Sequence, residues 1–502
     1  MKNGTNRETI AGLEPAAVWD YFSRITDIPH PSKGEEWLRR AVHAMAKEAG
    51  FTAQEDGIGN IVIPVPASRG FEGAPVTVLQ GHLDMVCEKN AATDHDFERE
   101  PVQLVLDRDA SSGEEIVRAD GTTLGADNGV GLAMALAAAF SPEVIHGPLE
   151  LLFTVDEETG MTGAKALTEA SVTGRRLLNL DSEKDDVIYI GCAGGGDANL
   201  SWEAKLGPFE PGAVAGRVCV SGLRGGHSGG DIHENRGTAI KLLARTLLRV
   251  DPGVLQIASF DGGQLRNAIP REAEARVVVP AKARAALDSA AKTVRDEAMR
   301  ESGEEQVVVS VEQLDPAAVP TALSVTDSAR LLAMLVALPH GVLGMHRRMS
   351  NLVETSNNLA MVSSVRDDQT SVLQVKIGAL ARSSSSSCQR VVLSQIAAVG
   401  RLAGAEVTFG NDYPGWEPNM DSPTLATCRR VYREQFGEEP NVTAIHAGLE
   451  CGIIGERVGN MDMVSFGPRI EGAHSPDERV FVASVQKSWK FLQAVLAELA
   501  RP

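Results

Sequence analysis

Apolar strand-like runs alternate with helical patterns through about the first 190 residues, give way to a different texture, and return in about the last hundred. This interrupted alternation limits the possible folds more than any other feature of the chain. Residues 16 to 50 carry an amphipathic helical pattern, broken at the prolines of IPHPSKG and stopped by glycine, so two helices open the fold. Short β-rich runs follow (NIVIPV, VTVLQGHLDMV, VQLVLD), then an Ala-rich helix (VGLAMALAAAF), a strand (LELLFTV), a helix (GAKALTEA) and a strand (RRLLNLD). Strands alternating with helices predict an α/β sheet faced by helices. From GCAGGGDAN at 191–199 to about residue 408 the texture is α+β, with strands such as EARVVVP and SVLQVKIGAL among helices such as GTAIKLLARTLL. A helix followed by an Asn-containing strand occurs at 238–279 and again at 327–365, which reads as a weak internal duplication. The serines 383–387 read as a turn and helix N-cap in preference to a linker. The simplest account is an α/β domain in two parts, 1–196 and 409–502, with an α+β domain of residues 197–408 inserted between them. At roughly 150 residues per domain the length alone would suggest about three domains; the insertion reading makes two.

Composition narrows the partners. The 67 acidic residues outnumber the 48 basic ones, a net charge of −19, which argues against general affinity for nucleic acid or anionic membranes. Small molecules and cations are the better partners. The start, MKNGTNRETIAGLEP, has no apolar core of a signal peptide, and the most apolar later stretches are too short or interrupted to span a bilayer. Six scattered cysteines without CxxC spacing fit reduced thiols in a cytoplasm.

Several acids and histidines stand at the ends of predicted elements. VTVLQGHLDMV is an apolar strand ending in His82 and Asp84, two apart on an extended segment and so facing the same way; Asp84 would accept from the His82 nitrogen not engaged elsewhere. A histidine satisfied in a loop is the plainer reading. DGTTLGADNGVG places Asp127 just before the Ala-rich helix, where an N-cap or turn carboxylate is the plainer reading, and its glycines fit no nucleotide-binding pattern. LELLFTVDEETG runs an apolar strand into Asp156, Glu157 and Glu158, which repel one another and need solvent, a helix N-terminus or a cation. Adjacent glutamates can divide the roles of general base and metal ligand. RRLLNLDSE ends in Asp181, and SFGPRIEGAHSPDERV puts His474 in a Gly/Pro-rich loop before the last helix. Together His82, Asp127, Glu158, Asp181 and His474 lie at ends of elements in one α/β domain, where such folds place their sites. Nitrogen and oxygen donors without thiolates suit zinc, with manganese or cobalt as substitutes.

In order and wording the motifs GHLDMVCEKN, DGTTLGADNGVG, VDEETGMTGA, YIGCAGGGD, GGHSGGDIH, HAGLECG and IEGAHSPDERV resemble the dinuclear zinc peptidase family that includes glutamate carboxypeptidases and succinyl-diaminopimelate desuccinylases. The resemblance runs through nearly the whole chain. It implies an aminopeptidase-like α/β catalytic domain with a mixed sheet, interrupted by a lid domain. It implies two Zn2+ per chain: Asp127 bridging both, His82 and Asp181 completing one site, Glu158 and His474 the other. Glu157 would be the general base and Asp84 would orient His82. In the lid, His227 of GLRGGHSGG would help polarise the scissile carbonyl, although without the resemblance GGHSGG reads as a turn carrying a surface histidine. Asn267, Arg382 and Gly448 match positions that hold the substrate's carboxylate end, a role that suits a guanidinium. For His446 and Glu450, which flank Gly448, substrate contact and structural roles stay open, and the other histidines are read as non-ligands.

The implied activity is that of a cytoplasmic metallopeptidase hydrolysing dipeptides, aminoacyl-histidine dipeptides such as carnosine among them. The lid would close to bring His227 and Arg382 to the metals. The nearest alternative is a related amidohydrolase acting on N-acyl amino acids or tripeptides; the other is a catalytically silent homologue, against which the presence of all five ligands and Glu157 argues. Relatives usually form a homodimer, while a lid of about 200 residues would substitute for a partner subunit, so pairing stays open.

Overall fold

The structure is a computed structural model and describes residues 5–251, 253–367 and 369–501. The chain divides into two compact units, one of residues 1–191, 416–444 and 449–502, the other of residues 192–415 and 445–448. The fourteen-residue strand Gly194–Gly207 pairs along its length within the second unit, and Glu406–Tyr413 pairs with it, so the crossings at 191/192 and 415/416 lie outside these two strands, and residues 445–448 make a second, short excursion into that unit.

The first unit is built on an eight-stranded sheet in the order Gln54–Glu55, Ile61–Val65, Leu149–Thr154, Thr77–His82, Arg176–Asn179, Asp462–Ser465, Val187–Cys192, Asn441–Ile445. The four strands from Leu149–Thr154 to Asp462–Ser465 are parallel, and antiparallel pairs flank them. Leu149–Thr154 and Thr77–His82 are buried at every residue, as strands covered on both faces are. Helix Ala126–Phe140 packs on both; it is apolar nearly all round and buried accordingly. A second sheet of four strands joins Leu104–Arg108 and Glu115–Ala119 to Arg479–Phe481 and Ile470–Glu471, and so ties the loop of His474 into this unit. The six cysteines form no disulfide. No helix among the described residues is long and apolar enough to cross a membrane.

The second unit contains one connectivity twice. Strand Ala213–Ser221, helix Ala239–Leu248, strands Gln256–Gly262 and Ala273–Pro280, helix Arg284–Ser302 and strand Val308–Leu314 make the first copy. Strand Gly194–Gly207, helix Val325–Ala337, strands Val353–Asp367 and Val372–Ser383, helix Ser386–Leu402 and strand Glu406–Tyr413 make the second. In each copy the third strand lies between the first and the second, and the fourth lies outside the first. The two copies meet where Gln256–Gly262 pairs with Val353–Asp367, giving one antiparallel sheet with its core against the helices. The duplication read at 238–279 and 327–365 is thus the visible part of a longer one, and the first copy is inserted between the first strand and first helix of the second. Ser385 stands at the N-cap of Ser386–Leu402 without a side-chain cap; its own amide donates to Ser383 Oγ instead, making the turn.

Candidate active site

Every acid or histidine singled out in the α/β part stands just beyond a strand or at a helix start in the first unit. His82 ends Thr77–His82, Glu157 and Glu158 open a short helix two residues after Leu149–Thr154, and Asp181 follows Arg176–Asn179 by two. Three of these segments are locked by one side chain. Asn128 donates to the Leu180 carbonyl at 2.8 Å, and its Oδ1 lies 2.1 Å from where a Cβ on Gly81 would be, so only glycine fits before His82. A Cβ on Gly131 would lie 2.4 Å from the same carbonyl.

Asp127 stands between two histidines. Its Oδ1 is 3.1 Å from His82 Nε2 and its Oδ2 is 3.4 Å from His474 Nε2. His82 Nε2 is also 3.2 Å from Asp181 Oδ1, and His474 Nε2 is 3.1 Å from Glu158 Oε2. Ligand atoms of His82, Asp127 and Glu158 all lie within 4.8 Å of one another. The five expected ligands therefore fall into two sets sharing Asp127. Among the described residues no lysine or arginine pairs with these acids, and Glu158 Oε1 and Asp181 Oδ1 are buried without a hydrogen bond of acceptable geometry. Converging acids with unused buried oxygens and only nitrogen and oxygen donors fit a pair of divalent cations.

The electrostatics agree. Burial lowers the pKa of His82, but Asp181, Asp127 and Asp84 outweigh it and hold the ring well above its usual value. Hydrogen bonds to Asp127 and Glu158 raise His474 to about 11. Burial raises Asp181 to about 7 despite His82, and burial with the charges of Asp181, Glu450 and Glu158 pushes Glu157 well above the ordinary carboxylate range. Raised values on acids and histidines together mark a cluster whose negative charge a cation would offset.

Asp84 does more than face His82. The ring's Nδ1 is 3.0 Å from the Asp84 main-chain oxygen and 3.4 Å from its Oδ1, which leaves Nε2 free for the site. The carboxylate itself accepts from the amides of Glu157 at 2.9 Å and Glu158 at 3.1 Å, and from Ser32 Oγ at 2.8 Å. Burial would raise Asp84, yet His82 and these donors bring it down to about 2.

One buried glutamate, Glu478, escaped the sequence reading of this site, and a second, Glu450, had its role left open. Glu478 accepts from the four consecutive amides of residues 124–127. Glu450, left open between substrate contact and structure, is fully buried and accepts from Gln80 at 2.7 Å and Thr154. Burial raises it to about 8, and its Oε1 has no hydrogen bond.

The residues expected in the inserted domain gather in the second unit. His227 pairs with Ala268 in a two-stranded ribbon, and the Ser228 amide donates to the Asn267 carbonyl at 2.7 Å. The amides of Gly229 and Gly230 donate to His227 Nδ1, so the neutral ring carries its proton on Nε2. Arg382 is buried, donates to Ser228 Oγ at 3.4 Å and Tyr413 Oη at 3.1 Å, and pairs with no carboxylate among the described residues. His446, two residues before Gly448, shares a 2.7 Å hydrogen bond with Ser356, the strand neighbour of Arg382. Burial and the charge of Arg382 lower His227 and bring His446 to about 3.

The sequence model of "Peptidase family M20/M25/M40" matches residues 78–498. The chain is 41% identical over 492 residues to the "Cytosol non-specific dipeptidase" of Escherichia coli, covering 98% of this chain and 99% of that protein. It is similar to the crystal structure of an aminoacylhistidine dipeptidase from Vibrio alginolyticus, at 41% identity and a TM-score of 0.89, over 97% of this chain and 98% of the other. A tripeptidase from Staphylococcus aureus shares the fold, with a TM-score of 0.55 at 16% identity over 98% of this chain and all of the other.

Proposed function

From its membership of peptidase family M20/M25/M40, whose members are metal-dependent hydrolases, we propose that this chain hydrolyses dipeptides, aminoacyl-histidine dipeptides such as carnosine among them, with two zinc ions. The observation that carries the two-metal reading is Asp127, each of whose oxygens faces a different histidine, with a further acid beside each ring. His82, Asp127 and Asp181 would hold one ion, and Asp127, Glu158 and His474 the other. Bound there, the ions would supply Lewis acidity toward the peptide carbonyl and lower the pKa of the attacking water.

The chain's own groups do the rest. Glu157, with its raised pKa, takes a proton from the water and delivers it to the leaving amine. Asp84 fixes the Glu157 and Glu158 amides, so base and ligand share one anchor. His227, with its proton on Nε2, is a neutral donor for a developing oxyanion. Arg382, buried with no carboxylate partner among the described residues, takes the substrate's terminal carboxylate, with Asn267 and the loop of Gly448 completing that recognition. We assign the protein to the cytoplasm, in line with the name of the Escherichia coli relative.

Glu157→Gln tests the base. The expected result is loss of hydrolysis by at least ~100-fold with zinc still bound, since general acid–base catalysis contributes about 10²–10⁴. Near-normal turnover would remove Glu157 from that role. Rates on carnosine, other dipeptides, tripeptides and N-acetyl amino acids decide the substrate; preference for either of the last two classes would displace the dipeptidase reading.

A further inference from the structure

The two halves of the proposed metal centre are built differently. On one side, His82 ends a fully buried strand and its second nitrogen is pinned at 3.0 Å by the Asp84 main chain. On the other, the His474 side chain is 55% exposed, its backbone is left-handed at φ 62°, and its second nitrogen has no hydrogen bond to the described residues. Something else must hold that half in place.

Building on the two-metal reading, we propose that Glu478 is the positioning residue of the His474 and Glu158 half, clamping the turn that presents Asp127 to the loop that presents His474. Glu478 is 2% exposed. Its Oε2 accepts from the amides of Leu124 at 2.7 Å and Gly125 at 3.0 Å, and its Oε1 from those of Ala126 at 2.8 Å and Asp127 at 3.3 Å. A buried carboxylate is costly unless its lone pairs are met, and here four amides at the start of helix Ala126–Phe140 meet them. The same residue belongs to a closed turn: Glu478 donates its amide to the Ser475 carbonyl at 3.0 Å, and Ser475 Oγ donates to the Gly472 carbonyl at 2.7 Å. Gly472 has φ 71°, and a Cβ there would lie 2.7 Å from the Asp477 oxygen. His474 and Glu478 thus share one tight turn, and the clamp fixes that turn to the residue that both ions share. His82 and Asp181 are placed by strand ends that Glu478 does not touch, and the bond of Asn128 to the Leu180 carbonyl keeps the Asp127 turn against them without Glu478, so the loss of Glu478 falls chiefly on the second ion.

Zinc titration of chelator-stripped protein against a competing indicator tests this. Wild type is expected to take up two ions. In Glu478→Gln, whichever way the amide lies, an NH2 group meets two of the four amide N–H groups. The second Zn2+ should then bind about 10- to 100-fold more weakly, the range typical of groups that orient a metal ligand, while the first changes by less than ~3-fold. Activity should return at raised Zn2+. Glu471→Gln, at the strand end where the His474 loop begins, removes an equal charge and leaves the clamp, and is expected to keep both affinities. Unchanged affinities in Glu478→Gln, or an equal loss in Glu471→Gln, would overturn the proposal. If Glu478→Gln fails to fold by circular dichroism, Glu478→Asp replaces it, keeping the charge but shortening the reach: a weakened second ion supports the clamp, and unchanged affinities overturn it. A wild type that takes up a single ion would instead sink the two-metal reading, and this proposal with it.

Discussion

His82 and His474 in the first unit stand among carboxylates that raise them, His82 well above its usual value against the pull of burial and His474 to about 11. In the second unit burial and the charge of Arg382 lower His227 and His446, and burial with the Lys241 charge lowers His340, the last two to about 3. One unit therefore gathers negative charge with too few cations, and the other holds a buried arginine that pairs with no carboxylate among the described residues, near histidines whose pKa values are lowered. Each is incomplete in the opposite sense: the first calls for metal ions and the second for a carboxylate. The largest test of this contrast is Asp127→Ala. Removing the carboxylate common to both half-sites should strip both ions and lower hydrolysis by well over ~100-fold, beyond the 10–100-fold typical of groups that only orient a ligand. Metal analysis of the purified variant checks it, and two tightly bound ions in Asp127→Ala would contradict the shared-ligand geometry.

Arg382→Met probes the other side. Removing one partner of a buried charge pair costs about 2–5 kcal/mol, so kcat/KM for a dipeptide should fall roughly 30- to 4000-fold. The discriminating readout is a pair of substrates, one dipeptide and its C-terminal amide. Wild type should prefer the free carboxylate, and the variant should treat the two alike. A variant that kept the preference would detach Arg382 from carboxylate recognition. Zinc content should not change, because Arg382 belongs to a different group of residues from the ligands.

The same contrast explains what could be read from the sequence. An apolar run ending in an acid or histidine is a local signal, and the parallel sheet brings such ends together; His82, Glu158 and Asp181 carry that signal, weak in each alone. Asp127 and His474 stand at a helix start and in a Gly/Pro loop, which have plainer uses, and only the company of all five made any of them a candidate. His227, Asn267 and Arg382 carried no local signal, because their gathering depends on pairings such as Ser228 with Arg382, 154 positions apart. They were legible through family resemblance alone. Glu478 was hidden in the charged string PDER, where an acid reads as surface, and its partners lie some 350 positions earlier. Glu450 was noticed beside Gly448 but its role stayed open, because its partner Gln80 is 370 positions away. In the second unit the Asn-containing strands betrayed part of the duplication, but strand order across a sheet is a non-local property, and the insertion of one copy into the other broke the repeat's register in sequence.

The smallest expected effect concerns pH. His446 is 8% exposed and its folded pKa of about 3 lies below the unfolded value of about 6.5. The unfolded chain therefore binds a proton that the folded chain refuses. Stability is fully present above the unfolded pKa and falls as pH drops from about 6.5 toward 3, by about 2 kcal/mol at pH 5 for this one group. His446→Gln keeps a hydrogen-bonding side chain beside Ser356 and removes the titration. Its stability relative to wild type should rise on going from pH 7 to pH 5, as read from denaturant midpoints at the two values. The acid-rich histidines have the opposite sign: His82 and His474 in metal-free protein gain protons on folding, which favours the folded state at the lower pH. Full-chain curves mix the two, so the wild-type-minus-variant difference is the quantity that isolates the second unit. A difference that stayed flat between pH 7 and 5 would mean that His446 titrates normally and that the charge of Arg382 is already answered by another group.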